Sequence, residues 1–326
     1  MSKPLKVAVL GFWHVHAGDY SRQAQAHPGT ELVGVWDDDV ALGQAGADQF
    51  GVPFTQDLDG LLSEVDAVVI STPTNEHRDI MVKAAKAGKH IFTEKLLAPT
   101  VAEAEEILAA ADDNGVKVVV SLPRLAHGYT QAISDVIASG ELGQLTYTRV
   151  RLSHDGAVSR DGVEGWLPQR FFDQKAAIGG ALTDLGCHPV YLVQLFLGTQ
   201  PDSVSAIYRS VNGRGLEDNA VVTLGYPDQK IGVIEAGFTS RNAFTIEIFG
   251  TEGSLTYTDA GNILQVGDRQ VPVPDHNQDP FGQWVDHINN GTRADDNLSR
   301  AVELTRLVVA ANQAAEVGRT IPYAGL

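Results

Sequence analysis

Three places in the sequence gather side chains able to move a proton or hold an anion. Glu94-Lys95 closes the run Ala87-Gly88-Lys89-His90-Ile91-Phe92-Thr93. A lysine beside a carboxylate can stabilise a developing negative charge, or accept a proton if burial depresses its pKa. On an exposed loop the same pair would be a surface ion pair worth at most about 1 kcal/mol. Asp184 and His188, at i and i+4, share one face of a helix, where the carboxylate would orient the imidazole for proton transfer. Gly186 and Pro189 are awkward in a helix interior, so that geometry is not guaranteed, and a helix-start aspartate beside a packed histidine would fit the same spacing. The third place is the pair of strand ends at Gly11 and Asp37. A glycine there permits a tight turn onto a helix N-terminus that can hold a pyrophosphate. An acidic residue after the next strand accepts from ribose hydroxyls and repels a 2′-phosphate, which favours NAD over NADP.

These groups need strand ends to carry them. Residues 6–122 alternate β-branched runs with helical spacing, the pattern of consecutive βαβ units and a parallel sheet. Strands are expected at 6–10, 32–36, 67–70, 90–93 and 116–120, and helices at 17–26, 40–50, 75–87 and 100–113, with Thr74 or Asn75 capping one and Thr100 with Glu103 forming a capping box. In such a sheet ligands gather at the carboxyl ends of the strands, which places Lys95 where chemistry is done. After Pro123 come helical stretches at 131–139 and 179–197. Strand-like runs at 145–152, 203–208, 219–224, 231–236, 244–249 and 254–258 follow, separated by turn signals such as Asn212-Gly213 and Pro227-Asp228. Short turns imply an antiparallel sheet, so this half should be α+β. Helices near 280–289 and 298–317 finish the chain. The expected division is a dinucleotide-binding domain at 1–122 and a substrate and self-association domain at 123–326.

Composition excludes several classes. With 326 residues and 43% hydrophobic content the chain can bury a large core. Its 24 basic against 41 acidic residues give a net charge of −17, which repels nucleic acid and anionic lipid surfaces. The one cysteine, Cys187, excludes an internal disulfide and fits a reducing cytoplasm. No apolar run approaches the roughly 18 residues of a membrane span, and the N-terminal residues have no signal-peptide profile.

Further candidates follow from position. Gly11-Phe12-Trp13-His14 forms the first strand–helix turn, although Trp13 and His16 stand where a dinucleotide loop has its second and third glycines. Ser71-Thr72-Pro73-Thr74-Asn75-Glu76-His77 ends a strand on hydroxyls and amides that suit a cofactor, while Asn75 and His77 would equally serve a local cap and packing. Trp13, Arg124, His154, Trp166 and Tyr191 suit the walls of a pocket for a polyhydroxylated ring. His14 and His16 resemble metal ligands but lack an organised third partner, so no metal is expected.

Taken in order, Gly11, Asp37, Thr72-Pro73 with His77, Ala87-Gly88-Lys89-His90 leading to Glu94-Lys95, Arg124, Gly143, Gly179-Gly180 with Asp184-x-Gly186-x-His188, and Gly250-Thr251-Glu252-Gly253 resemble the glucose-fructose oxidoreductase / inositol dehydrogenase family over nearly the whole chain. The resemblance implies an N-terminal Rossmann domain and a C-terminal α/β domain with a large open sheet, which supplies the substrate pocket and an oligomer interface. It implies an NAD(P)-dependent enzyme oxidising a secondary alcohol of a sugar or polyol, assembled as a homodimer or homotetramer. Lys95, Asp184 and His188 match the family's catalytic positions, and Gly11, Phe12, Trp13, His14, Asp37, Ser71, Thr72, Pro73, Asn75, His77, Glu94 and Lys95 would line the cofactor. On that footing His188 is the base, oriented by Asp184, and Lys95 steadies the alkoxide, or Lys95 is itself the acceptor. Leu96 replaces the motif's proline, and Tyr191 stands where many members carry a second aspartate. The same family includes non-catalytic dinucleotide-binding regulators, and enzymes with held cofactor that couple two sugars or cleave glycosides by transient redox chemistry.

Overall fold

The computed structural model describes residues 3–198 and 200–323, which form two compact units. The first comprises residues up to Leu122 together with Gln278–Thr305. Its strands are β1 (Leu5–Leu10), β2 (Thr30–Trp36), β3 (Phe54–Thr55), β4 (Ala67–Ile70), β5 (His90–Thr93) and β6 (Val118–Val120). They pair in the order β3-β2-β1-β4-β5-β6, parallel throughout. Strands sandwiched on both faces must be apolar on both, and β4 is buried at every residue. Helices α1 (Ala17–Ala26), α2 (Val40–Phe50), α3 (Leu58–Glu64), α4 (His77–Lys86) and α5 (Val101–Asp113) alternate with them. Asp39 caps α2 by accepting from Ala41 and Leu42 N–H, and Thr100 caps α5 through Glu103 N–H. Neither Thr74 nor Asn75 caps α4, because both lie within a 3₁₀ turn, Thr74–Glu76, that leaves Glu76 at the N-cap.

The first unit is left after Leu122 and joined again by residues 278–305. Helix α9 (Pro280–Asn290) is capped by Asp279, with Pro280 opening its first turn. Its Phe281, Trp284 and Val285 pack with Val7, Val9, Phe92 and Val119 in the core of the parallel sheet. Helix α10 (Asp295–Val317) belongs to the first unit through Thr305 and to the second from Arg306.

The second unit, Pro123–Asn277 with residues from Arg306 onward, is built on nine strands. These are β7 (Leu145–Ser153), β8 (Ser203–Arg209), β9 (Asn219–Gly225), β10 (Ile231–Gly237), β11 (Thr245–Gly250), β12 (Ser254–Thr258), β13 (Ile263–Val266), β14 (Arg269–Val271) and β15 (Ile321–Pro322). The order is β14-β13-β12-β11-β7-β10-β9-β8-β15, antiparallel except where β10 runs parallel to β7. Helices α6 (Gly128–Ser139), α7 (Gln174–Ala177) and α8 (Cys187–Leu197) complete it, α8 preceded by a π-wound segment at Leu182–Gly186. Burial alternates along the central strands, as a half-covered sheet requires. Val193 of α8 lies against Gly232 of β10, so α8 covers the face that carries Val222, Ile234 and Ile248. No helix among the described residues is long and apolar enough to cross a membrane.

Candidate functional site

In the first unit, the carboxyl ends of β1, β2, β4 and β5 carry the predicted residues. Gly11 has φ +88°, and a Cβ there would stand 2.6 Å from Thr72 Cγ2, so glycine is required both by conformation and by the closeness of the β4 end. Neither Trp13 nor His16, at the places of the other two loop glycines, has a left-handed backbone. His16 sits at φ −81°, open to any residue, and Phe12 turns back to pack on Gly46 and Phe50. Asp37, buried at the end of β2, accepts from Phe12 N–H at 2.7 Å and from Asp39 N–H at 2.9 Å. Burial outweighs these bonds and raises its pKa to about 6. Each carboxylate oxygen retains capacity for a further donor.

The end of β4 is polar, buried and short of partners. Among the described residues, Ser71 Oγ, Thr72 Oγ1 and Asn75 Oδ1 have no hydrogen-bond partner, although buried hydroxyls and amides are nearly always satisfied. His77 is placed differently from its neighbours. It is buried, with Nδ1 facing Leu96 O at 2.9 Å and Nε2 facing Thr72 O at 3.3 Å, and it braces the β4 turn against the segment after β5. Its pKa is lowered by burial.

Glu94 and Lys95 at the end of β5 are buried, so they are not a surface pair. Glu94 Oε2 accepts from Lys95 N–H at 2.9 Å, while Oε1 lies 2.7 Å from His16 Nδ1 and accepts from the Tyr20 hydroxyl. Burial would raise this carboxyl, but His14, Lys95 and His16 outweigh it and hold the group well below the usual carboxylate range. Ser121 Oγ lies 2.9 Å from Tyr20 Oη, and burial and Glu94 keep the phenol protonated. Glu94 is the third ligand that the sequence did not offer His14 and His16, all three ligand atoms lying within 4.8 Å of one another. His14 Nδ1 nevertheless accepts from His16 N–H at 3.2 Å, and Glu94 is satisfied by N–H and O–H donors, the pattern of a hydrogen-bonded carboxylate.

In the second unit, Gly179-Gly180 introduces the segment bearing Asp184 and His188. A Cβ on Gly180 would stand 2.1 Å from Glu217 O, and one on Gly179 would stand 2.0 Å from Thr183 Oγ1. Glu217 accepts from Gly180 N–H at 3.0 Å and Leu182 N–H at 3.1 Å, while Ala181 N–H donates to its carbonyl at 2.9 Å. Burial raises the Glu217 carboxyl even so. The sequence reading missed this residue, which lies in an irregular stretch with no periodicity and no motif.

Asp184 lies in the π-wound segment and His188 in the first turn of α8. Tyr191 Oη lies 2.9 Å from His188 Nδ1. The expectation that Tyr191 lines a pocket is corrected, since it is fully buried within an apolar helix and offers no surface to a ligand. Arg124 lies 4.2 Å over the Phe244 ring and donates to Tyr129 Oη at 3.2 Å. His154 packs between the exposed Trp166 and Phe238, and burial lowers its pKa against the opposing charge of Asp184. A 580 Å³ pocket bounded by Glu164, Gln169, Asn212 and Arg214 includes none of the predicted substrate residues.

Residues 5–122 match the oxidoreductase family with an NAD-binding Rossmann fold, and residues 130–256 match the GFO/IDH/MocA C-terminal domain. The chain belongs to the GFO/IDH/MocA family. Among its relatives, the dTDP-3,4-didehydro-2,6-dideoxy-alpha-D-glucose 3-reductase of Streptomyces violaceoruber is 27% identical over 78% of this chain and 72% of its own length. The NAD(+)-dependent scyllo-inositol 2-dehydrogenase of Bacillus subtilis (strain 168) is 29% identical over 78% and 74%. GenD2 from gentamicin A biosynthesis, solved in complex with NAD, superposes with a TM-score of 0.83 at 27% identity, covering 99% of this chain and 97% of that one. Sugar dehydrogenases and reductases are therefore among its relatives.

Proposed function

We propose that the protein is an NAD-dependent oxidoreductase that interconverts a secondary alcohol of a sugar or polyol with its keto form. The observation that carries this reading is the end of β4. There Ser71, Thr72 and Asn75 hold buried, unpartnered polar atoms beside a Gly11 too close for any side chain, a polar cradle that fits a dinucleotide. Asp37 would take the adenosine ribose, and its charge disfavours a 2′-phosphate, which supports NAD over NADP. When bound, the nicotinamide supplies the hydride acceptor or donor. Phe12, Trp13, His14, Pro73, His77 and Glu94 complete the proposed cofactor lining, with His77 acting through the turns it braces.

The reaction needs an acceptor for the hydroxyl proton and a donor for the alkoxide-like oxygen that forms as hydride leaves. We assign these tasks to Lys95 and His188, with Asp184 supporting them. The sugar class rests on the GFO/IDH/MocA relatives, and Arg124, His154 and Trp166 are the residues proposed to meet the substrate. Absorbance at the NADH band, with inositols, aldoses, anhydrosugars and sugar acids offered alongside NAD and separately NADP, tests the reading. Turnover with NAD that is lost in Lys95→Ala and His188→Ala is the expected result. NAD binding without turnover on any sugar would replace it with a dinucleotide sensor or an enzyme that recycles held cofactor.

A further inference from the structure

Tyr191 carries a proton whose destination can be counted. Its hydroxyl is fully buried and has two hydrogen-bonding neighbours. The first is Arg124 N–H at 3.2 Å, a backbone amide that can only donate, so it occupies a lone pair of Oη. The second is His188 Nδ1 at 2.9 Å, with the two rings edge to face. Among the described residues that nitrogen is the one acceptor available to the phenolic proton. Were Nδ1 protonated and donating to Oη, the phenol O–H would point at a second donor and be buried without an acceptor, the arrangement that folded proteins avoid. Burial also keeps Tyr191 from ionising, so the tyrosinate does not resolve the conflict.

We infer that Tyr191 is a positioning residue that donates to His188 Nδ1 and thereby fixes His188 as a neutral imidazole carrying its proton on Nε2. This inference rests on the proposed oxidoreductase reading for its catalytic meaning, though not for the proton count itself. An Nε2 that already bears hydrogen cannot take the substrate's hydroxyl proton. A second proton could enter only at Nδ1, where it would turn the Tyr191 hydroxyl away from its one acceptor, so the imidazolium is disfavoured as well. His188 is then a neutral hydrogen-bond donor to the reacting oxygen, a role that an imidazole fills without changing protonation state. Of the groups assigned to the reaction, this leaves Lys95 as the proton acceptor. In the oxidation the substrate O–H breaks and its proton passes to Lys95 in its uncharged form, giving the ammonium, the form whose charge lowers the Glu94 carboxyl. The carbon-bound hydrogen leaves with its electron pair for the dinucleotide and the C=O bond forms. The reduction runs the same steps backward.

The test is long-range ¹H–¹⁵N correlation NMR of the intact protein with ¹⁵N-histidine, the His188 ring being assigned by its absence from His188→Gln. Because spectra are taken without cofactor or substrate, failure of the inference is separable from failure of the oxidoreductase reading. The expected pattern is Nε2-protonated neutral imidazole at neutral pH, changing in Tyr191→Phe to a tautomer mixture that charges more readily as pH falls. An Nδ1-protonated ring or an imidazolium in the unmodified protein, or a pattern untouched by Tyr191→Phe, overturns the inference. In the turnover assay, the acidic limb of the kcat/KM pH profile should persist in His188→Gln, which keeps an N–H donor but cannot act as a base. Disappearance of that limb in His188→Gln would overturn the donor role.

Discussion

At the scale of single residues, Asp37 has the most direct pH consequence. Its folded-state pKa, pushed up to about 6 by burial, lies above the unfolded carboxyl value of about 4. The sign is therefore opposite to that of a salt-bridged carboxylate. This group favours the folded cofactor-free protein at low pH, and its contribution is lost as pH rises from about 4 through about 6. A ribose needs the ionised acceptor, so NAD affinity should be level above pH 7 and fall below pH 6 by up to about tenfold per unit. Calorimetric titration of NAD at pH 5 and pH 7.5, compared with Asp37→Asn, checks this, and a pH-independent affinity in the unmodified protein would refute it. The sequence indicated the acidic residue at the β2 end but not its burial, because the amide that accompanies it there, Phe12 N–H, comes from a loop 25 positions away. Tyr191 is the converse case. Its chemistry suggested a pocket wall, whereas Val190, Leu192 and Val193 around it make α8 apolar on every side and bury the phenol.

At the scale of elements, what the sequence made legible was whatever local patterning specifies. Strands β4 and β5 and helices α1 and α2 fall where expected, because buried β-branched or aromatic runs and helical spacing are written in consecutive residues. The two-residue β3 and β15 were missed, since neither is long enough to show a period and each exists by pairing with a distant strand. The π-wound stretch before α8 was half visible in Gly186 and Pro189, but the group that holds its start, Glu217, sits beyond β8. That dependence is testable. Gly180→Ala would drive a Cβ to 2.1 Å from the Glu217 carbonyl, so it should destabilise the second unit by about 1–3 kcal/mol or more, as overpacking does, and lower turnover by displacing His188. Urea unfolding read alongside kcat separates it from Gly140→Ala, which meets nothing and should change stability alone. Gly180→Ala with unchanged kcat would show that the turn does not position His188.

At the scale of the whole molecule, the nine-stranded sheet is covered by α8 on one face, while its other face presents Ile207 opposite Val221, and Phe249 beside Tyr147 and Ile231. Ile207 is 61% exposed and Val221 43%, and the rows between them hold Arg149 paired with both Glu235 and Glu247. A contiguous apolar and ion-paired sheet face of this kind fits a second copy of itself, because opposite charges interleave on one surface. We expect a dimer or tetramer by light scattering, and Ile207→Asp with Val221→Asp should shift the mass to that of a monomer. A monomeric unmodified protein, or an assembly indifferent to the pair, would rule this face out. The sequence carried the alternation that creates the face but not its extent, which depends on the register of five strands.

The return of residues 278–305 into the first unit has a consequence for how the protein is made. A ribosome delivers the six parallel strands long before it delivers Phe281, Trp284 and Val285, so the early chain presents Val7, Val9, Phe92 and Val119 to solvent without their cover. The nascent nucleotide-binding half must therefore wait, sticky and incomplete, while the other half is synthesised. Synthesis that stalls between the two segments should leave a species that chaperones hold and proteases clear.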